Sequence, residues 1–146
     1  MVKMESIITN ERINVLLLQT GKMGRMVEIE DSLDAMQELV GGPIEEYMPF
    51  EDDVAIVCNE EGKMRGLPLN RGIKDKDGQL QDIIAGDFFI CYAPIESERF
   101  LSLPPDLEKK YKEKLELPEQ VYRTESGIKT IAYLPSKGEK DKSMER

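Results

Sequence analysis

Val54-Ala55-Ile56-Val57-Cys58 is a run of five apolar residues closed off on both sides by turn formers, and it constrains the fold more than any other stretch. Glu51-Asp52-Asp53 precedes it and Asn59-Glu60-Glu61-Gly62 follows, so the run is too short for a helix and fits a buried strand. The chain then leaves through Gly66-Leu67-Pro68-Leu69 and arrives at a polar pair, Asn70-Arg71. A second apolar run, Phe88 to Tyr92, lies downstream and can pair back on the first.

The preceding chain supplies more strands and one helix. Arg12 to Leu18 is dense in strand formers, and Val27 and Ile29 alternate with Met26, Glu28 and Glu30, the pattern of a half-exposed strand. The loop between them, Gln19 to Arg25, is short enough for a hairpin. A helix is predicted over Ser32 to Val40: Asp31 or Ser32 caps it, Leu33, Met36, Leu39 and Val40 share a face, and Gly41-Gly42-Pro43 ends it. Ile44 to Phe50 reads as a strand. The proline makes Leu67-Pro68-Leu69 an edge segment, open to pairing with a second copy of the chain. Gly72 to Gln81 reads as loose and polar, and Asp82 to Asp87 as a turn.

Beyond Pro94 the character changes. Leu101 to Asp106 reads as a linker and a capped helix start, and Leu107 to Leu117 as a charged helix with a thin apolar stripe, packing lightly or held on a partner. Gly127 to Leu134 fits a strand, and the charged residues 136–146 read as disordered. The expected fold class is α+β: a small mixed, mostly antiparallel sheet with one helix packed on it, plus a C-terminal charged helix. The expected divisions are a compact core over 1–95, an extension over 96–135 and the tail, with the first few residues frayed.

Composition narrows the chemistry. The 146 residues include no histidine, which removes the commonest general base and zinc ligand together with every histidine-dependent triad. Two cysteines, Cys58 and Cys91, sit in apolar runs where thiols are usually inert, so a reduced, cytoplasmic protein is expected. No apolar run reaches the ~18 residues of a membrane span. The net charge is −9; residues 1–95 carry 18 acids against 9 bases, whereas 96–146 balance at 11 and 11. That disfavours a broad nucleic-acid surface.

Several short motifs invite a functional reading. Gly21-Lys22 resembles the end of a phosphate loop, but lacks the earlier glycine, has Met23 at the hydroxyl position and leads into a strand. Asp75-Lys76-Asp77-Gly78 resembles part of a calcium loop, but Ile73 and Ile84 stand where two ligands are needed. Glu45-Glu46 and Glu51-Asp52-Asp53 form acidic clusters without the spacing of a known site. The binding candidates are Asn59, Glu60, Glu61, Lys63, Asn70 and Arg71; if the two segments end as adjacent strands, Asn59, Glu61, Asn70 and Arg71 converge on one rim, with Arg71 facing Glu60 or Glu61. Gly62 is expected to supply a positive-φ turn position that Asn59 caps. The plainer reading of the same residues is a turn network that satisfies itself.

Four of these segments, Val40 to Glu45, Cys58 to Lys63, Gly66 to Arg71 and Asp82 to Asp87, in that order, resemble the uncharacterised domain of unknown function 3846, found in bacteria, phages and mobile elements. The resemblance covers about Ile13 to Ala93. It implies a small α+β domain and no activity, and hence no catalytic residue, metal or cofactor. The leading functional expectation is a non-enzymatic accessory or binding module recognising another protein. The alternatives are a small carboxylate-dependent enzyme, with or without metal assistance, and an acidic DNA mimic.

Overall fold

A computed structural model describes residues 11–135; the expected frayed start and charged tail lie outside them. Five strands form the main sheet in the order β2-β1-β7-β4-β3, where β1 is Arg12–Leu18, β2 Arg25–Glu30, β3 Ile44–Tyr47, β4 Val54–Asn59 and β7 Phe88–Tyr92. Every pairing is antiparallel. β7 joins two hairpins, with Leu17 opposite Phe89 on one side and Val57 opposite Phe89 on the other.

The sheet is covered on both faces, which is why β4 and β7 are continuous apolar runs rather than alternating ones. On one face Val15, Leu17, Ala55, Val57, Phe89 and Cys91 pack under Met36 and Val40 of α1, Leu33–Val40. Ser32 caps this helix, its Oγ accepting from the Ala35 N–H at 3.1 Å, and Gly41 ends it in the left-handed region at φ 82°. On the other face Leu16, Leu18, Ile56, Phe88 and Ile90 pack against three further elements. Two are the strands β5, Leu69–Lys74, and β6, Leu80–Ala85, which bring in Ile73 and Ile84; the third is α2, Pro105–Leu115, which brings in Tyr111 and Leu115.

The stretch 72–87 is therefore not loose. It belongs to an antiparallel hairpin closed by the Asp75–Gly78 turn, whose two register shifts break the alternation expected of a strand. The expectation of a light-packing or partner-held C-terminal helix is likewise corrected: Leu107, Tyr111 and Leu115, spaced four apart, all face this core. Mixed Lys and Glu around that stripe lowered its apparent apolarity. The helix opens on Pro104-Pro105 with no side-chain cap, proline at the first position presetting the backbone. The preceding linker is pinned to the sheet by Leu101 pairing with Tyr92 and by the Leu103 N–H donating to the Asn14 carbonyl at 2.9 Å.

Asp52 docks α2 from the acidic turn, its carboxylate accepting from Tyr111 Oη at 2.7 Å and Lys110 Nζ at 2.6 Å. These two bonds hold its carboxyl below the usual carboxylate range. A group whose folded pKa is depressed contributes stability above its unfolded value, near 4, and loses it as pH falls through the folded value. Thermal unfolding measured from neutral pH into this acid range should therefore show wild type losing Tm on acidification. Asp52→Asn should start lower at neutral pH and fall less; parallel curves for the two proteins would remove Asp52 from the acid response.

A third pairing, β8 (Glu119–Thr124) with β9 (Gly127–Ala132), forms a hairpin beside β5. The sequence reading placed β9 but missed β8, whose Glu-Gln-Val-Tyr-Arg-Thr has a single aliphatic residue.

Candidate functional site

The six candidate residues do not form one rim. They separate into a turn at the end of β4 and a buried knot at the start of β5.

At the turn, Asn59 is buried and spends both ends of its amide. Its Nδ2 donates to the Val40 carbonyl at the end of α1 at 3.2 Å, and its Oδ1 accepts from the Glu61 N–H at 2.8 Å. Gly62 does not take the positive φ expected of it. Glycine is needed there for closeness: a Cβ would stand 2.6 Å from the Ala85 carbonyl, where the turn crosses β6. Glu60 and Lys63 are exposed and Glu61 half-buried; Lys63 Nζ meets Asp82 at 2.6 Å, an ion pair too open to water to add much stability.

Asn59, Glu60 and Lys63 share with Glu45, Tyr47 and Asp82 a cleft of about 220 Å³ between β3, β4 and β6. Cys58 also lines it. Burial and then the nearby Glu45 push that thiol up to about 11, so it is no nucleophile at neutral pH. Burial, then Asp82, raises the Tyr47 phenol as well. Both shifts keep the groups protonated, leaving the cleft suited to hydrogen bonding rather than to nucleophilic attack.

The second cluster is internal. Arg71 and Asn70 are both 0% exposed. Arg71 spends all five guanidinium hydrogens: Nε on the Leu115 carbonyl at 2.6 Å, one terminal nitrogen on the Gln19 carbonyl and Asn70 Oδ1 at 3.1 and 2.7 Å, and the other on the Lys22 and Glu116 carbonyls at 2.7 and 2.9 Å. Asn70 Nδ2 donates to the Leu18 and Gly86 carbonyls at 2.8 and 2.9 Å. Leu115 and Glu116 end α2, where carbonyls lack helical partners and the helix dipole favours a cation. The expected contact of Arg71 with Glu60 or Glu61 is not made. Burial lowers the guanidinium pKa, opposed first by Glu119, whose carboxylate accepts from the Gly72 N–H at 2.8 Å. Sequence could show that Asn70-Arg71 stood in an unusual place, but not that its partners are carbonyls about fifty residues away.

The other motifs resolve into local structure. The Lys22 carbonyl is committed to Arg71, and the Gly24 N–H to the Glu116 carbonyl at 2.8 Å, so this loop is tied inward. Asp75 Oδ1 accepts from the Asp77 and Gln79 N–H groups, both at 2.9 Å, making the calcium-like segment a self-capped turn. Among the described residues no group of three or more Cys, Asp or Glu is placed to hold a metal, and no helix is long and apolar enough to cross a membrane.

No curated protein and no solved structure matches the chain. One family model does, over residues 13–116, its description being Domain of unknown function (DUF3846). This span runs further than the resemblance read from the motifs, taking in α2 and both carbonyls at its end that hold Arg71. The chain belongs to the DUF3846 family.

Proposed function

We propose that this chain is a binding module that recognises another protein through the β8–β9 hairpin. The observation that carries this reading is the apolar exposure on the hairpin's outer face: Tyr122 and Ile131 are 41% and 53% exposed. Tyr122 pairs with Lys129 and Ile131 with Gln120, so Tyr122 and Ile131 are diagonal neighbours on one face. The other face turns inward, with Thr130 against Gly72. A two-stranded hairpin is marginal alone, and a partner's apolar surface laid on its outer face would add to its stability. The hairpin lies outside the family-matched span 13–116, the arrangement of a recognition element added to a common core. Further support comes from the core's polar groups, since Asn59, Asn70 and Arg71 are spent on the fold rather than offered to a substrate.

The test uses a surface variant, because removing Arg71 would damage the fold itself. Wild type and a Tyr122→Ser, Ile131→Ser variant are used for capture from a host lysate, and the recovered protein is purified and rebound. A defined partner that binds wild type directly, and binds the equally stable variant about tenfold more weakly or worse, supports the reading. Equal binding to both proteins, or no direct partner, overturns it.

A further inference from the structure

We propose that the hollow between α2 and the turn of the β5–β6 hairpin is a binding site for a phosphate-bearing small molecule. This goes beyond protein recognition by the β8–β9 hairpin and stands independently of it. The hollow, about 380 Å³, is lined by Lys74, Lys76, Lys110 and Lys114, with Phe50 and Tyr111 also in its wall. Its volume falls within the usual range for small-ligand sites, roughly 300–1,000 Å³. A second hollow of about 270 Å³ shares Lys74, Lys76 and Lys114 and continues past Gly72.

In a chain of net charge −9, two segments far apart in sequence, 74–76 and α2, thus bring four ammonium groups around one concavity. Such gathering opposes folding: Lys110 and Lys114 are one turn apart on the same helix, a like-charge pair that destabilises it. Only Lys110 has an acidic partner, Asp52; among the described residues Lys74, Lys76 and Lys114 make no ion pair. Two acids, Glu51 and Asp75, share the wall with the four lysines. Glu51 is exposed, and Asp75 is engaged by its own turn and by Gln81 Nε2 at 3.1 Å.

The aromatic rings account for how the charges are held. Lys114 Nζ lies 5.7 Å from the Phe50 ring centre and Lys110 Nζ 5.6 Å from that of Tyr111. A ring face attracts an ammonium without neutralising it, so the charge of Lys114 stays available in the hollow, whereas that of Lys110 is shared with Asp52. The lining cations are all lysines. Compact ammonium groups on flexible stems meet the several oxygens of a phosphate from different directions.

The probe is inorganic pyrophosphate, titrated into the ¹⁵N-labelled full chain at low and at physiological salt. The expected result is movement of the amide resonances of Gly72, Lys74, Lys76, Gly78 and Lys114, with binding weakened at higher salt. A Lys74→Gln, Lys114→Gln variant should bind about tenfold more weakly, while Lys109→Gln, Lys129→Gln, away from the hollow, should stay within about twofold of wild type. Equal weakening in both variants would show attraction to overall charge and overturn the site. Absence of these shifts would overturn it too, as would tighter binding of a short single-stranded DNA than of pyrophosphate, which would assign the trough to a macromolecule.

Discussion

Arg71→Met is expected to lower folding stability by about 4 kcal/mol, since buried acceptors lose their donor at about 1–3 kcal/mol each and only the Gln19 and Glu116 carbonyls keep a backbone partner outside the regular elements. Methionine fills much of the space but donates nothing, leaving four backbone carbonyls and the Asn70 amide oxygen without their buried donor. A whole domain is usually stable by only about 5–15 kcal/mol, so this variant stands near the limit of folding. Arg71→Lys keeps the charge and three donors in place of five, and should unfold in urea between the methionine variant and wild type. Amide exchange should rise first in the 19–24 loop and the last turn of α2, the two segments the guanidinium ties together. A methionine variant within about 1 kcal/mol of wild type would mean that water replaces the guanidinium at little cost, and the knot would lose its structural role.

The second large effect concerns the C-terminal region. A chain ending at Pro94 is expected not to fold, whereas one ending at Leu117 should. The shorter chain loses Leu103, Tyr111 and Leu115, three buried side chains worth about 1.5–3 kcal/mol each, and uncovers Leu16, Leu18 and Phe88. It also removes the Leu115 and Glu116 carbonyls, so Arg71 remains a buried charge with two fewer acceptors. The longer truncation keeps all of these and loses only the β8–β9 hairpin with its Glu119 contact. Near-ultraviolet circular dichroism and urea titration distinguish the two. Cooperative unfolding of the chain ending at Pro94 would make α2 an accessory to a core that is complete without it.

The parts of this structure legible in the sequence are those in which a local pattern has one physical meaning. Five consecutive apolar residues between turns at Val54 gave a buried strand, and Ser32 with Gly41 gave both ends of α1. Asp82-Ile83-Ile84-Ala85 failed as a reading because a hairpin with two register shifts keeps neither strict alternation nor a continuous apolar run. Leu107, Tyr111 and Leu115 were visible, but the lysines between them concealed how deeply a four-residue spacing can bury a stripe. Among the candidates, the sequence drew attention to Asn59, Asn70 and Arg71, and all three turned out to organise the chain. What it could not show was direction: whether an unusual polar residue points outward to a ligand or inward to carbonyls depends on contacts distant in sequence. The lysine hollow was hidden for the same reason, its members lying on β5, the hairpin turn and α2.

The placement of β7 in the middle of the sheet matters for how the protein is made. β1 and β4 both have their inner edges open until Phe88–Tyr92 is synthesised, and both are among the most apolar segments of the chain. At translation rates of roughly 5–20 residues per second, the two early hairpins wait on the order of seconds for the strand that joins them. During that interval each presents an unpaired, aggregation-prone edge, the hazard that in finished proteins is managed by covering or charging the edge. The completed sheet ends instead on β2 and β3, whose Glu28, Glu30, Glu45 and Glu46 leave its outer margins acidic. The margins of the main sheet are thus guarded by charge once assembled, and the open apolar edges of β1 and β4 exist only during synthesis.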